Sequence, residues 1–205
     1  MIVIGITGSI GMGKTTIASM LSILNIPIYD ADYEVKKLIE NSSLIKKKIK
    51  NEWPNVIYKN EGKDVVSKKK LSDLIFKNTK YKVKLEEIIH PLVLKKRNIF
   101  LKKYKNKKFI VAIDVPLLYE TGANKICNYI FLALTSEENQ KKRVLRRSNM
   151  TEEKFMLIKK NQWSDNKKKS QSPYIINTSY GKLFTFLLTI LFLIKVVYKE
   201  RVIKI

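Results

Sequence analysis

The sequence predicts an α/β fold in which a five-stranded parallel sheet is flanked by helices. Short β-branched runs alternate with helical patterns, which is typical of such sheets. Most of the runs are continuously apolar, as strands covered on both faces are. With 205 residues, 45% of them hydrophobic, the chain is long enough for one domain with a real core. The predicted strands are 2–6, 26–29, 109–113, 129–134 and 174–177.

Helical periodicity places the first helix directly after a glycine-rich segment, with apolar residues recurring at helical spacing from Ile17 to Leu24. A second helix is predicted after Thr135, which has capping-box spacing with Glu138. A third is predicted after Thr151, because two glutamates follow it and carboxylates suit the first turn of a helix.

The stretch between Asp32 and Lys108 is polar and Lys-rich, with helical patterns but no convincing strand. We interpret it as a helical insertion between the second and third strands of the sheet. Because no repeat and no Pro/Gly-rich linker interrupts the chain, we expect the insertion to pack on the core.

The charge balance is strongly basic: 41 Lys and Arg residues against 18 Asp and Glu give a net charge of +23. Such a balance is typical of nucleic-acid or anionic-membrane surfaces, but also of enzymes with polyanionic substrates. The lysine runs 46–48, 68–70 and 167–169 are dispersed and form no stripe interleaved with aromatic residues. A solvated, Lys-rich exterior is therefore favoured, and no specific nucleic-acid partner is expected.

Two further observations concern the compartment. Cys127 is the only cysteine and the amino terminus has no signal-peptide pattern, so we expect a cytoplasmic protein. The apolar run 183–194 falls short of the roughly 17 to 25 residues that a spanning helix needs. A buried terminal helix is favoured, and membrane attachment through this run stays open as an alternative.

Residues 8–15 match the phosphate-binding pattern G-x-x-x-x-G-K-[ST] in full, between a predicted strand and a predicted helix. Successive backbone N–H groups of such a loop wrap phosphates, and the helix N-terminus adds positive charge. Lys14 is predicted to bridge the β- and γ-phosphates of ATP, and the Thr15 hydroxyl to hold Mg²⁺. The predicted nucleotide-binding residues are Gly8, Ser9, Ile10, Gly11, Met12, Gly13, Lys14, Thr15 and Thr16.

Carboxylates follow two of the predicted strands. Asp114 ends the third strand, where an aspartate of a phosphate-loop protein helps to hold Mg²⁺. Asp30 and Asp32 follow the second strand, at the sheet edge where ligands of open parallel sheets bind. They are candidates to meet the phosphoryl acceptor, and one of them also suits the cap of the next helix.

Four segments follow one another along the chain. They are the phosphate loop with its preceding Ile6 and Thr7, Asp30-Ala31-Asp32, the run from Leu85 through His90-Pro91 to Leu92, and Asp114-Val115-Pro116-Leu117-Leu118-Tyr119-Glu120. In this order they resemble the dephospho-CoA kinase family, over about residues 2–181. A Gln-x-x-Arg-x-x-x-Arg segment from Gln140 to Arg147, Gln162 and the stretch 176–179 also fit.

The resemblance implies transfer of the ATP γ-phosphoryl group to the ribose 3′-hydroxyl of dephospho-CoA. It implies a nucleotide core (1–32, 106–142 and 163–205), a helical substrate subdomain (33–105) and a small lid (143–162). By the resemblance, Asp32 is the general base and Arg143 contacts the ATP phosphates. It further implies that Asn177 lies on the nucleotide side and that the acceptor is bound by Asp30, Asp32, His90, Pro91, Leu117, Leu118 and Glu120.

Two other functions stay open at this point. The phosphate loop is shared by other small-molecule kinases, which differ in the acceptor. The net charge of +23 also keeps a nucleic-acid-binding NTPase in view.

Overall fold

The computed structural model describes residues 1–148 and 150–202, with Lys77 described by its backbone alone. The described chain divides into two compact units, Met1–Asp30 with Tyr104–Ile205 and Ala31–Lys103. The strands are β1 (Ile2–Thr7), β2 (Ile28–Asp30), β3 (Ile57–Asn60), β4 (Lys63–Val66), β5 (Ile110–Asp114), β6 (Tyr129–Leu134) and β7 (Tyr174–Asn177). The helices are α1 (Lys14–Ile23), α2 (Ala31–Asn41), α3 (Ser43–Glu52), α4 (Lys68–Lys77), α5 (Thr79–Tyr104), α6 (Glu137–Leu145), α7 (Glu152–Lys160), α8 (Asp165–Gln171) and α9 (Gly181–Val202).

The first unit contains the predicted five-stranded sheet, in the order β2-β5-β1-β6-β7 with every pairing parallel. All five predicted strands are confirmed to within two residues at either end. β1 is buried along its whole length because it lies in the centre, between β5 and β6. The register aligns the carboxyl ends of neighbouring strands, and Asp30 at the end of β2 lies beside Asp114 at the end of β5.

Two details of the predicted helices are wrong. The cap of α6 is Ser136, whose hydroxyl accepts a hydrogen bond from the Asn139 N–H, and not Thr135. Leu24 lies after the end of α1 and is partly exposed, although it continues the apolar spacing. The prediction for α7 is confirmed, since the Thr151 hydroxyl accepts from the Lys154 N–H.

The second unit has its own hydrophobic core, formed by α2 to α5 together with two strands that the sequence did not reveal. β3 and β4 make an antiparallel hairpin. Its turn is formed by Glu61 and Gly62, both at positive φ (49° and 74°). Asn-Gly is the strong signal for such a turn, and a glutamate in the first position conceals it. The description of this stretch as wholly helical was therefore wrong.

Helix α5 runs for 26 residues and continues through Pro91. The local expectation at Pro91 is a turn, because the residue before a proline is disfavoured in the α region. That expectation is wrong here. The proline removes one backbone hydrogen bond, while Leu85, Ile88 and Ile89 on the preceding turns are buried in the core of the unit.

The terminal helix α9 is longer and less buried than the sequence suggested. It is the one helix among the described residues that is long and apolar enough to cross a membrane, by length and composition only. The helix turns one stripe toward the protein, formed by Thr185, Thr189, Leu193 and Val196. Only 22% of its most apolar stretch of 18 residues is buried. The prediction of a buried helix therefore holds for one stripe and is wrong for the opposite face.

Candidate active site

The phosphate-binding loop connects β1 to α1, and two of its glycines cannot be replaced without strain. Gly11 and Gly13 have φ values of 79° and 92°, in the left-handed region that side chains rarely adopt. A Cβ atom on Gly13 would lie 2.7 Å from Thr178 Oγ1, and one on Gly11 would lie 2.6 Å from a methyl group of Val144. The loop is thus a close-fitting turn that only glycine allows.

Helix α1 begins at Lys14, immediately after Gly13. Gly13 is its N-cap and offers no side chain to the N–H groups of the first turn, which also holds Thr15 and Thr16. The positive end of the helix dipole lies at this turn. This combination of a glycine turn and a helix N-terminus favours binding of an anion such as phosphate.

Lys14 forms an ion pair with Asp114 at the carboxyl edge of the sheet. Both side chains are largely buried. Asp114 is also the register partner of Asp30 on the neighbouring strand β2. The structure therefore brings together an ammonium group and two strand-end carboxylates at the mouth of the phosphate loop. In a poorly hydrated site these charges act more strongly than in water.

Arg143 on α6 lies on the other side of the loop. Its guanidinium group donates to Thr178 Oγ1 (2.8 Å) and to the Thr178 carbonyl oxygen (2.7 Å). The Thr178 hydroxyl in turn donates to the Met12 carbonyl oxygen (2.8 Å). Arg143 is thus tied to the phosphate loop through a buried threonine, and one of its nitrogens lies 3.5 Å from the Gly11 carbonyl oxygen.

Two glutamine side chains hold the backbone of Ile10. Its N–H donates to Gln162 Oε1 (3.0 Å), and its carbonyl oxygen accepts from Gln140 Nε2 (2.7 Å). Both glutamines belong to segments that the family resemblance had marked, without a role for either. Their geometry indicates that they fix the conformation of the phosphate loop.

A buried charged cluster behind the loop escaped the sequence analysis. Lys168 is fully buried, and its ammonium group donates to Ser9 Oγ (3.2 Å) and lies 3.3 Å from Glu120 Oε1. The Ser9 hydroxyl donates to Asp165 Oδ1 (2.6 Å), and Glu120 Oε1 also accepts from the Trp163 N–H (2.7 Å). Because Lys168 lies in a run of three lysines, it had been assigned to the solvated exterior. That assignment is wrong for Lys168.

Three further residues predicted for the site occupy different environments. Leu117 is half-buried after β5, whereas Leu118 is fully buried and would lie 2.9 Å from a Cβ atom on Gly5. Asn177 ends β7, and its side chain accepts from the Ser179 N–H (2.9 Å). Neither Leu118 nor Asn177 presents its full side chain to solvent.

The remaining predicted residues belong to the second unit. Asp32 is exposed in the first turn of α2, one residue after Ala31 begins that helix. His90 and Pro91 are exposed on consecutive positions of α5. Their side chains are therefore accessible to a ligand of that unit.

The donor atoms at the edge of the sheet suit Mg²⁺. Thr15 supplies a hydroxyl oxygen and Asp114 a carboxylate oxygen, which are the hard ligands that this ion prefers. Among residues 1–148 and 150–202 no group of three or more His, Cys, Asp and Glu side chains is arranged around a common point. An ion here would thus be held by few protein ligands together with substrate phosphates, which is the usual pattern for Mg²⁺.

Comparison with known proteins identifies the family. The sequence profile of dephospho-CoA kinase matches residues 2–182. A dephospho-CoA kinase of Nitrobacter winogradskyi is 37% identical over 182 residues, 88% of either chain, and one of Zymomonas mobilis is 34% identical over 176 residues, 86% of this chain and 87% of the relative.

Solved structures agree at the level of the fold. The dephospho-CoA kinase of Campylobacter jejuni superposes with a TM-score of 0.70 at 20% identity, covering 97% of this chain and 98% of the other. A shikimate kinase of Acinetobacter baumannii gives 0.54 at 17% identity, covering 98% and 95%. The chain therefore belongs to the dephospho-CoA kinase family and is an ATP-dependent kinase.

Proposed function

We propose that this kinase transfers the γ-phosphoryl group of ATP to the ribose 3′-hydroxyl of dephospho-CoA, which gives coenzyme A. The observation that carries the proposal is the glycine turn of the phosphate loop, with Lys14 and Asp114 paired at its mouth. Family membership supplies the acceptor. Phosphoryl transfer of this kind depends on positioning and charge neutralisation, because the protein has little covalent chemistry to perform.

ATP is bound by residues 8–16, with its phosphates against the backbone of the loop and the first turn of α1. Lys14 and Arg143 supply positive charge to the phosphates as negative charge develops during transfer. The contacts of Arg143 with Thr178 support this role, because they hold the guanidinium group beside the loop. Asn177, at the end of β7, is the remaining residue proposed to bind the nucleotide.

The residues proposed to bind the acceptor are those that the family resemblance implies. Asp32 orients the ribose hydroxyl and accepts its proton, and Asp30 is the alternative for this role. His90 and Pro91, both exposed on α5, contact the acceptor. Leu117 contacts the acceptor, and the fully buried Leu118 supports Leu117. Glu120 accepts a hydrogen bond from the Trp163 N–H and thereby positions the segment that follows the lid.

Mg²⁺ would be held by the Thr15 hydroxyl and the Asp114 carboxylate. When bound, such an ion neutralises charge on the β- and γ-phosphates. Residues 143–162 act as the lid that excludes water, which would otherwise accept the phosphoryl group. The cytoplasm is the proposed compartment, and the presence of a single cysteine, which cannot form a disulfide within the chain, supports a reducing environment.

A phosphoryl-transfer assay tests the proposal. Purified protein with ATP, Mg²⁺ and dephospho-CoA should form coenzyme A faster than it phosphorylates adenosine or AMP, and mass spectrometry of the product should locate the phosphate on the 3′-oxygen. The Lys14→Ala variant is the control for a contaminating kinase. Faster turnover of a nucleoside or nucleotide would assign the protein to another small-molecule substrate.

The strongly basic composition leaves one alternative function to be tested, that of a nucleic-acid-binding NTPase. The net charge of +23 favours contact with nucleic acid. If this charge serves only small polyanions, the Kd for duplex nucleic acid should be about 10⁻⁴ to 10⁻⁶ M, and binding should weaken steeply as salt is added. Nanomolar binding at physiological salt, with stimulated ATP turnover, would favour a nucleic-acid-dependent NTPase.

A further inference from the structure

Helix α9 carries an apolar face that the protein itself does not cover. We call this set the outer face. Its side chains recur every three or four residues, so they lie on one side of the helix. Each is between 44% and 74% exposed. The outer face consists of Leu183, Leu187, Leu191, Ile194 and Tyr198.

α9 differs from an ordinary surface helix because it is apolar on its exposed face as well as on its buried one. Thr185 and Thr189 face the protein, where their hydroxyls donate to the Gly181 and Thr185 carbonyl oxygens (2.8 Å and 2.7 Å). A helix that packs on a soluble protein normally turns its apolar residues inward and its polar residues to solvent. Here two hydroxyls are buried beside Leu193 and Val196, while the leucines of the outer face are exposed. Water is therefore a poor match for the outer face, and an apolar environment is a good one.

Cations flank the outer face. The helix carries four basic residues, all exposed: Lys182 near its start, and Lys195, Lys199 and Arg201 near its end. Its one acidic residue, Glu200, is half-buried and accepts a hydrogen bond from the Tyr129 hydroxyl (3.0 Å). An apolar strip with basic residues at both ends is the pattern by which helices bind in the headgroup region of anionic membranes.

We propose that α9 docks the kinase on an anionic lipid bilayer, lying parallel to its surface with the outer face among the acyl chains. The helix cannot cross the bilayer while the fold is intact, because Leu193 and Val196 belong to the same hydrophobic core as Phe131 and Ile176 of the sheet. The outer face, in contrast, is exposed and can contact lipid. The cytoplasmic leaflet supplies the negative charge that the basic residues require.

Charge argues against a second copy as the occupant. Each chain carries a net charge of +23, and a high net charge of one sign opposes self-association. An anionic bilayer gains from the same charge, at about fivefold in binding for each Lys or Arg near its surface. The family profile ends at residue 182, so the outer face belongs to the part of the chain that the profile does not describe.

Vesicle co-sedimentation tests the proposal, with full-length protein and two double variants that each replace two exposed apolar residues by glutamine. Leu187→Gln/Ile194→Gln changes the outer face, at positions 57% and 61% exposed. Leu44→Gln/Ile99→Gln is the matched control in the second unit, at 51% and 52% exposed. Unchanged circular dichroism and thermal unfolding establish that both variants are folded.

The wild type and the control should sediment with phosphatidylglycerol-containing vesicles and much less with pure phosphatidylcholine. Two exposed aliphatic side chains contribute enough buried area that the outer-face variant should bind at least about tenfold more weakly. Its kinase activity without vesicles should equal that of the wild type. Equal sedimentation of all three proteins, or no binding by the wild type, overturns the proposal. So does a wild-type dimer in analytical ultracentrifugation that only the outer-face variant loses, since the occupant is then a second copy.

Discussion

Removing the ammonium group of Lys168 should destabilise the protein strongly, although Lys168 lies in a run of three lysines. The Lys168→Met variant keeps an unbranched apolar stem but leaves Glu120 as a largely buried carboxylate without its cation. Glu120 Oε2 has no hydrogen-bond partner among the described residues, so nothing else on that oxygen offsets the charge. Breaking one side of a buried ion pair typically costs about 3 to 5 kcal/mol.

That cost translates into a large change of melting temperature. For a chain of this size, 1 kcal/mol corresponds to about 2 to 4 °C, so we expect the Tm of Lys168→Met to fall by about 6 to 20 °C. Urea unfolding followed by circular dichroism gives the free energy of unfolding directly. Lys169→Met is the matched control, because Lys169 is exposed in the same run and its loss should cost less than about 0.5 kcal/mol.

The double variant Lys168→Met/Glu120→Gln identifies the cause. Replacing the carboxylate by an amide removes the uncompensated charge, so it should recover part of the loss measured for Lys168→Met alone. If Lys168→Met is no less stable than Lys169→Met, the reasoning from burial is refuted. If the double variant recovers nothing, the loss comes from Ser9 and the phosphate loop, and the ion pair with Glu120 is not its source.

Asp32→Asn should lower kcat by about 10² to 10⁴-fold, because the general base is lost, while the affinity for ATP stays nearly unchanged. A larger loss of kcat in Asp30→Asn would reverse the roles of the two aspartates. Gly13→Ala should weaken ATP binding, measured by calorimetry, because the φ of 92° at this position disfavours alanine and the new Cβ would lie 2.7 Å from Thr178 Oγ1. An ATP affinity equal to that of the wild type would contradict the close fit of the loop. Burial, together with a hydrogen bond to a glutamate, raises the pKa of Tyr129 to about 12. Below about pH 10 the phenol is neutral in both states, but between about pH 10 and 12 it ionises first in the unfolded chain, so stability should fall across this window. Urea unfolding should show a smaller fall for Tyr129→Phe, and equal slopes for both proteins would exclude the effect.

The sheet could be predicted from the sequence because each of its strands is an apolar run bounded by turn residues. The phosphate loop could be predicted because its backbone conformation demands glycines, such as Gly11 and Gly13, at fixed positions. The hairpin of β3 and β4 could not, since its strands are short and largely exposed and its turn begins with Glu61. Here the tertiary context, and not local preference, decides the structure.

Lys168 and Asp165 could not be predicted for a different reason. A lysine run gives no sign of which member is buried, because burial depends on a carboxylate that lies 48 positions earlier, at Glu120. The helix through Pro91 shows the same dependence on context. Local rules fail where residues distant in sequence supply the compensating contact, as Glu120 does for Lys168.

The contacts of Ile10 and Ser9 bear on how the protein is made. Their partners Gln162 and Asp165 lie more than 150 positions later in the chain. The ribosome therefore synthesises the whole phosphate-binding motif long before it adds the side chains that fix its shape. Contacts of such long range form late, because closing the chain between them costs entropy. A nascent chain that ends before Gln162 therefore carries the complete motif without two of its supports, and nucleotide binding is acquired only after the chain has grown past Asp165.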